Sequence, residues 1–239
     1  MPYFFAEQNL STGLVAEIRN EEARHILLSH RVKKGEKIKL QGPDGKRFLG
    51  EVSEIKKNSV KLKILEGLLM SKEPESAIVL FQSVIAEKAL DFVFRKSTEL
   101  GAVKIVLFNS EYTAVKLSGE QFKKKQTRWN KILKEAAKQS ERASWPVLEY
   151  AENFDAIIKT ARSLGKVFLM DIGGKKIQNP SPVAQALALI VGPEGGFSEG
   201  ELAKLRTLKN LETVAVGTNV LRAETAALAG VAIIRHQIQ

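Results

Sequence analysis

The first 70 residues alternate between apolar and polar positions in short runs, which is typical of half-buried β-strands. We predict strands over residues 37–41, 47–55 and 60–65, with a Gly-Pro-Asp-Gly turn at 42–45 between the first two. A single short helix is predicted over residues 21–29. Together these elements predict a small β-barrel.

Beyond residue 76 the pattern changes to longer segments in which apolar strands alternate with amphipathic helices. The predicted strands are 77–83, 103–108, 167–171, 187–191 and 213–216, and the predicted helices are 86–100, 121–143, 154–164, 198–208 and 223–237. This alternation indicates an α/β domain whose mostly parallel sheet is covered by helices on both faces. The polar, proline-containing segment 71–76 is the expected linker, so we predict a first domain over residues 1–70 and a second over 71–239.

Two of the strand-to-helix junctions contain a glycine turn. One spans Gly192 to Gly196 and the other follows Val216. Ser198 and Glu201 have the spacing of a capping box at the start of the next helix. Neither junction has the spacing of a dinucleotide fingerprint or of a Walker loop, and each alone could be an ordinary turn. Because ligands bind at the carboxyl ends of parallel strands, the pair predicts one ligand site built largely from backbone.

The composition limits the partners and the kinds of chemistry that the chain can have. The 239-residue chain has 37 basic and 27 acidic residues, a formal charge of +10 and a pI of about 9.6, which favours a polyanionic partner. Nucleic acid is the first candidate and an anionic membrane surface the second. The absence of cysteine excludes disulfides, thiol nucleophiles and cysteine-bound zinc, and it fits a reducing cytoplasm. We predict neither a signal peptide nor a membrane span.

The predicted helix 121–143 is strongly basic. Four of its cations recur at helical spacing and would form a ridge on one face: Lys124, Arg128, Lys131 and Lys138. The ridge could contact phosphates, or it could be an ordinary solvated face. Gln139 and Arg142 close this helix, where they would either serve a site or cap the helix.

Few side chains are candidates for chemistry. The three histidines lack metal-ligand spacing, so metal catalysis is not supported, and no G-x-S-x-G nucleophile elbow is present. Glu194 and Arg222 lie within or directly after the glycine junctions, where charged groups could orient a substrate or stabilise charge. Alternatively, Glu194 accepts hydrogen bonds within its own turn and Arg222 pairs with a carboxylate.

Several motifs resemble those of the bacterial 16S ribosomal RNA uridine-N3 methyltransferase family, within the SPOUT superfamily. They are Gly192-Pro-Glu-Gly-Gly196 with Phe197-Ser-Glu, Val220-Leu-Arg-Ala-Glu-Thr-Ala226, Lys96-Ser-Thr-Glu-Leu-Gly101, Glu135-Ala-Ala-Lys-Gln-Ser-Glu-Arg142 and His30-Arg-Val-Lys-Lys-Gly35. The chain departs from the family pattern at three positions: Asn219 and Tyr112 stand where arginine is common, and Arg95 where glutamine is frequent.

The resemblance implies a PUA-like β-barrel followed by a SPOUT α/β methyltransferase domain with a deep trefoil knot. It also implies S-adenosylmethionine bound in the knot, and a homodimer that uses the apolar terminal helix and shares the substrate site. The substrate would be 16S ribosomal RNA within the small ribosomal subunit, and the reaction would take place in the cytoplasm.

The resemblance also assigns residues. Those expected to bind the cofactor are Leu169, Met170, Gly192, Pro193, Glu194, Gly195, Gly196, Val216, Gly217, Asn219, Val220, Leu221 and Ala226. Those expected to bind RNA are Arg31, Lys33, Lys34, Lys96, Arg128, Gln139 and Arg142. Arg222 or Arg142 would stabilise the developing uracil anion, and Glu194 or a water would accept the proton that leaves N3.

Two other functions fit parts of the same sequence. A related knotted enzyme that methylates a ribose 2′-hydroxyl in ribosomal or transfer RNA would share the glycine junctions. A noncatalytic RNA-binding assembly factor would share the charge and the fold, but it would not bind S-adenosylmethionine.

Overall fold

The structure, a computed structural model, describes residues 3–29, 31–69, 76–178 and 186–238. These residues form two compact units. The first comprises the described residues up to 69 together with 137–144, and the second comprises 76–136 and the described residues from 145 onward. The expected domain boundary at residue 70 and nearly all of the expected linker lie outside the described residues, as does His30.

The first unit is built on a five-stranded sheet in the order β1-β3-β4-β5-β2. Its strands are β1 (Tyr3–Phe5), β2 (Val15–Arg19), β3 (Lys37–Gln41), β4 (Arg47–Lys56) and β5 (Ser59–Leu68). Strands β3, β4 and β5 confirm the three predicted strands. The other two, which are three and five residues long and lie at the edges of the sheet, were not predicted.

One face of this sheet carries the core of the first unit. Ile18, Leu40, Leu62 and Ile64 are all at most 2% exposed. The predicted helix 21–29 is instead a short helix α1 (Asn20–Arg24) that continues as a π-helical turn, His25–Ser29. Ala23 and Ile26 are buried against the sheet, so packing decides the turn here rather than helix propensity.

The second unit contains a six-stranded sheet in the order β11-β9-β10-β6-β7-β8, and every described pairing in it is parallel. Its strands are β6 (Ile78–Ser83), β7 (Ala102–Phe108), β8 (Val147–Ala151), β9 (Lys166–Lys175), β10 (Leu187–Val191) and β11 (Leu211–Val214). All residues of β6 and β10 are buried, as the continuous apolar runs predict for central strands. The expected parallel sheet is thereby confirmed.

Helices cover both faces of this sheet. They are α2 (Glu87–Glu99), α3 (Gly119–Gln139), α4 (Phe154–Arg162), α5 (Glu199–Leu205) and α6 (Ala223–Gln237). Leu80 and Leu189 pack with α6 on one face, while Phe81 and Ile190 pack with α4 and α5 on the other. Gly230 allows α6 to lie close to the sheet, because a methyl group there would be 2.6 Å from Leu189 Cδ2.

Several predicted boundaries were wrong. Helix α3 ends at Gln139 rather than at residue 143, and Glu141 then adopts a positive φ of 55°, which a helix does not allow. Strand β11 ends two residues earlier than predicted, helices α4 and α5 are shorter than predicted, and β9 continues beyond residue 171. Strand β8 was missed; it is an edge strand in which the exposed Val147 and Glu149 alternate with the buried Leu148 and Ala151.

The segment 137–144 belongs to the first unit and is held there by polar contacts. The Tyr3 hydroxyl donates to the Ala137 carbonyl at 3.3 Å, and the buried Arg47 guanidinium donates to the Glu141 carbonyl. Lys138 Nζ lies 2.6 Å from a carboxylate oxygen of Glu22. The sequence assigned Lys138 to an exposed basic ridge, and that assignment was wrong because its side chain is only 4% exposed.

Candidate functional site

A cavity of about 500 Å³ lies at the carboxyl edge of the parallel sheet, beside β9, β10 and β11. Three segments line it, one following or interrupting each of these strands. The lining residues are Met170, Asp171, Ile172, Gly173, Gly174, Val191, Gly192, Pro193, Glu194, Gly196, Phe197, Ala215, Val216, Gly217, Thr218, Asn219, Val220, Leu221, Ala223 and Ala226. The cavity is therefore in the position that the two glycine junctions predicted.

The first lining segment is an interruption within β9. Leu169 pairs with Thr213 of β11, but the next residue of β11, Val214, pairs with Lys175. Residues 170–174 therefore leave the ladder with β11 as a bulge, although Met170 still pairs with Val191 of β10, and all five line the cavity. Bulges of this kind redirect backbone and side chains near functional sites. Sequence reasoning found only Met170 of these five, although the Gly173-Gly174 pair was a usable signal.

Each of the three segments places one glycine with positive φ against the cavity. Gly173, Gly196 and Gly217 have φ values of 79°, 74° and 73°. A methyl group at any of them would meet no atom within 4 Å. Main chain is thus presented to the cavity from three sides without an intervening side chain, which allows close approach of a ligand to the backbone.

Gly192 has a different role, because it makes room for a ring of the protein itself. A methyl group there would lie 2.8 Å from Cε2 of Phe197. The Phe197 ring stacks on Phe108 with centroids 6.4 Å apart and meets Phe154 edge-on at 6.1 Å. The glycine junction after β10 is therefore held in place by the packing of Phe197 against Phe108 and Phe154.

The predicted capping box at the start of α5 is confirmed. Ser198 Oγ accepts from the Glu201 amide at 3.3 Å, and the Glu201 carboxylate accepts from the Ser198 amide at 3.0 Å. The same buried carboxylate also accepts from Ser110 Oγ at 2.8 Å and from the Glu111 amide at 2.9 Å. Glu201 thereby ties the junction after β10 to the loop after β7, a link that the sequence did not indicate.

The charged candidates lie at or beside the cavity wall. Glu194 lines the cavity and is exposed. Arg222 is the exposed N-cap residue of α6, between the lining residues Leu221 and Ala223, and its side chain makes no capping hydrogen bond. Asp171 places a second carboxylate at the wall, which the sequence reasoning missed.

Most of the residues expected to bind a cofactor line this cavity. They are Met170, Gly192, Pro193, Glu194, Gly196, Val216, Gly217, Asn219, Val220, Leu221 and Ala226. Leu169 and Gly195 are not among the lining residues. Leu169 is 2% exposed in the sheet core, and Gly195 packs against Tyr112 instead.

The residues expected to bind RNA are divided between the units. In the first unit, Arg31, Lys33, Lys34 and Gln139 are exposed, and Arg142 is partly buried. In the second unit, Lys96 pairs with Glu99 at 2.8 Å, and Arg128 pairs with Glu87 and Asp91. The ion pairs of the second set reduce the charge available to phosphate.

Two further properties concern the part of the chain that the structure describes. Within that part, no helix is long and apolar enough to cross a bilayer. Nor do three or more His, Cys, Asp or Glu side chains come together there in a way that could hold a metal ion.

The class of protein follows from comparison with known families. Residues 72–235 match the model of a family described as an RNA methyltransferase domain, and residues 18–65 match an RNA methyltransferase PUA domain. The first unit is thus PUA-like, and the cavity lies in the region that matches the methyltransferase domain.

Relatives that match over nearly the whole chain identify the family within this class. The chain is 30% identical to ribosomal RNA small subunit methyltransferase E of Aquifex aeolicus over 99% of the chain and 100% of that protein. It is 28% identical to the Bacillus subtilis protein of the same name, over 100% of the chain and 98% of that protein. The chain belongs to the family of ribosomal RNA small subunit methyltransferases E.

Solved structures agree with this family. The Neisseria gonorrhoeae methyltransferase E bound to S-adenosyl methionine is 31% identical with a TM-score of 0.86, covering 99% of this chain and 97% of that one. A Legionella pneumophila structure solved in complex with bound SAM is 27% identical with a TM-score of 0.87, covering 98% and 96%.

Proposed function

We propose that this protein transfers a methyl group from S-adenosylmethionine to N3 of a uridine in 16S ribosomal RNA. The observation that carries the proposal is the cavity at the carboxyl edge of the sheet. Main chain faces this cavity from three sides, at Gly173, Gly196 and Gly217. Related structures that carry S-adenosylmethionine support the cofactor. The resemblance of the motifs supports uridine N3 as the acceptor.

The cavity suits a cofactor of this kind. Its volume of about 500 Å³ is within the usual range of roughly 300–1,000 Å³ for small-molecule sites. Val191, Val220 and Leu221 would provide apolar contacts, and the backbone around the three glycines would provide hydrogen bonds to polar edges. Asp171 and Glu194 place negative charge at the wall, which suits a cationic sulfonium.

When bound, S-adenosylmethionine supplies an electrophilic methyl group. Neutral uracil carries a proton on N3, so that proton must leave before or during attack on the methyl group. Arg222 would stabilise the negative charge that develops on the uracil, with Arg142 as the second candidate. Glu194, or a water held by it, would accept the proton, provided that N3 lies within hydrogen-bond reach.

Further parts of the proposal concern architecture. The methyltransferase domain would contain a deep trefoil knot around the cavity, and two chains would associate through α6 and share the substrate site. Partly exposed apolar residues on α6, among them Leu228 and Ile233, are consistent with such contact. Light scattering after size-exclusion chromatography would then give about twice the 26.4 kDa chain mass.

Arg31, Lys33 and Lys34 of the PUA-like unit would position the RNA through phosphate contacts, which orient a nucleic acid without reading its sequence. The expected place of action is the cytoplasm, with the small ribosomal subunit as substrate.

The test is methyl transfer from labelled S-adenosylmethionine to small ribosomal subunits that lack native modifications, with the product nucleoside identified by mass spectrometry. We expect N3-methyluridine. Ribose methylation would instead identify a 2′-hydroxyl enzyme. If neither transfer nor a cofactor-induced rise in melting temperature occurred, the noncatalytic RNA-binding function would replace the proposal.

A further inference from the structure

The loop that follows β7, residues 109–117, exposes large apolar side chains from a firmly held base. Tyr112 is 52% exposed and Val115 is 77% exposed. Ser110 and Thr113 are buried, and the Ser110 amide donates to Thr113 Oγ1 at 2.9 Å. Two polar side chains of this loop, Ser110 and Thr113, are thus buried, while the large side chains of Tyr112 and Val115 are exposed to solvent.

The base of the loop is closed at both ends. Asn109 Nδ2 donates to the Leu117 carbonyl at 2.7 Å, and the Leu117 amide donates back to Asn109 Oδ1 at 2.9 Å. In between, Glu201 accepts from the Ser110 hydroxyl and the Glu111 amide, as described above. The Tyr112 backbone is therefore ordered before any ligand arrives, which lowers the entropic cost of binding to its ring.

Tyr112 also lies directly beside the cavity wall. A methyl group at Gly195 would be 3.0 Å from Tyr112 Cβ, so the two residues are in contact. The neighbours of Gly195 in the chain, Glu194 and Gly196, both line the cavity. Because β7 and β10 are parallel and belong to one sheet, their following loops share its carboxyl edge, and Tyr112 extends the site along that edge.

We propose that the Tyr112 ring is a stacking surface for a base of the RNA as the acceptor uridine is presented to the cavity. A flat, half-exposed aromatic ring on an ordered loop is how proteins hold unpaired bases. The net charge of +10 is consistent with a polyanion at this edge. The inference rests on the proposed function, since it deepens the substrate recognition of the same site.

The kinetic test uses unmodified small ribosomal subunits. Because the stacked base loses its contact with the ring, Tyr112→Ala should raise the KM for the subunit about tenfold. Tyr112→Phe should keep the KM within about twofold, because the ring rather than the hydroxyl makes the contact. The Kd for S-adenosylmethionine should stay unchanged. Val115→Ala, on the same loop and more exposed, is the matched control and should behave as the wild type.

Two kinetic outcomes would overturn the inference. One is an unchanged KM in Tyr112→Ala. The other is a loss of S-adenosylmethionine affinity as large as the rise in KM for the subunit. The ring would then act by supporting the glycine junction at Gly195 rather than by contacting RNA.

A second measurement separates this inference from the proposed function. Tyr112→Trp should show tryptophan fluorescence that is quenched by a uridine-containing RNA oligonucleotide and less by the same strand with an abasic site. Val115→Trp should not distinguish the two strands. If the wild type transfers no methyl group, the proposed function fails, yet base-dependent quenching would still support stacking and its absence would overturn it.

Discussion

At the scale of single residues, the site depends on glycines with distinct roles. Gly173, Gly196 and Gly217 keep the cavity side of the backbone open, whereas Gly192 accommodates the Phe197 ring. The sequence identified the glycine junctions but could not distinguish these roles, because the atoms that fill or leave the space come from distant parts of the chain.

Gly192→Ala tests this distinction. The new methyl group would push against the packed Phe197 ring, and overpacking strain of about 1–3 kcal/mol should lower S-adenosylmethionine affinity about tenfold. Cofactor titration followed by thermal shift measures it. Gly200→Ala is the control, since its nearest atom is Ser198 Oγ at 3.9 Å. A Gly192→Ala variant with wild-type affinity would refute the packing argument.

Arg222 is the sharpest test of the proposed chemistry. Arg222→Ala should reduce kcat by about 10²-fold or more, as loss of a group that stabilises developing charge does, with little change in cofactor Kd. Single-turnover methyl transfer is the measurement. Arg206→Ala, at the exposed C-cap residue of α5, should leave the rate unchanged. Full activity in both Arg222→Ala and Arg142→Ala would remove the anion-stabilising role.

At the scale of elements, helix α3 shows how the same residue type acquires different roles. Lys124 is 73% exposed and pairs with Glu120 one turn away, while Lys138 is 4% exposed and pairs with Glu22 of α1. Helical spacing placed both on one face, but spacing cannot tell which part of that face is covered.

The two lysines therefore differ in their effect on stability. Lys138→Ala leaves the Glu22 carboxylate, 17% exposed, without its ammonium partner and should cost about 3 kcal/mol. Lys124→Ala should change the free energy of unfolding by less than about 0.5 kcal/mol. Denaturant titration of both variants measures the difference. Equal effects would contradict the assignment of Lys138 as a buried, paired cation.

Helices α2 and α3 are also linked by charge, with a pH dependence that can be tested. The hydrogen bond from Lys125 lowers the pKa of Glu87 from its ordinary value of 4.5. A lowered pKa in the folded state stabilises the fold above pH 4.5 and loses that contribution as the pH falls through the folded-state pKa.

Glu87→Gln should thus destabilise the protein slightly at pH 6, by less than about 1 kcal/mol because the pair is half-exposed, and by less at pH 3. Free energies of unfolding at both pH values measure this. If the difference in the free energy of unfolding between variant and wild type increased as the pH fell, the linkage would have the opposite sign and would be disproved.

At the scale of the whole molecule, the charge of +10 predicts an electrostatic, salt-dependent contribution to RNA binding. Replacing Lys33 and Lys34 together with alanine should weaken binding to different RNAs uniformly and reduce the slope of log Kd against log salt by about 1–2. Filter binding across a salt series measures the slope. Lys204→Ala, a lysine of α5 paired with Asp155, should leave it unchanged.

The sequence by itself determined most of the elements and the place of the site. Apolar runs specified the buried strands β6 and β10 and the terminal helix α6. Glycines located the two junctions, and the spacing of Ser198 and Glu201 located the capping box. These features depend on periodicity and on local turn geometry, which are determined by residues that are close together in the chain.

Only the tertiary structure decided the rest. The bulge at residues 170–174 exists because β11 resumes pairing with β9 after five residues, and Glu201 reaches Ser110 across 91 positions of sequence. Lys138 is buried because a partner from α1 lies beside it. Each of these contacts joins residues that are far apart in the chain, so no local pattern could predict them. The bulge gives the cavity one of its three walls, and Glu201 fixes the junction after β10.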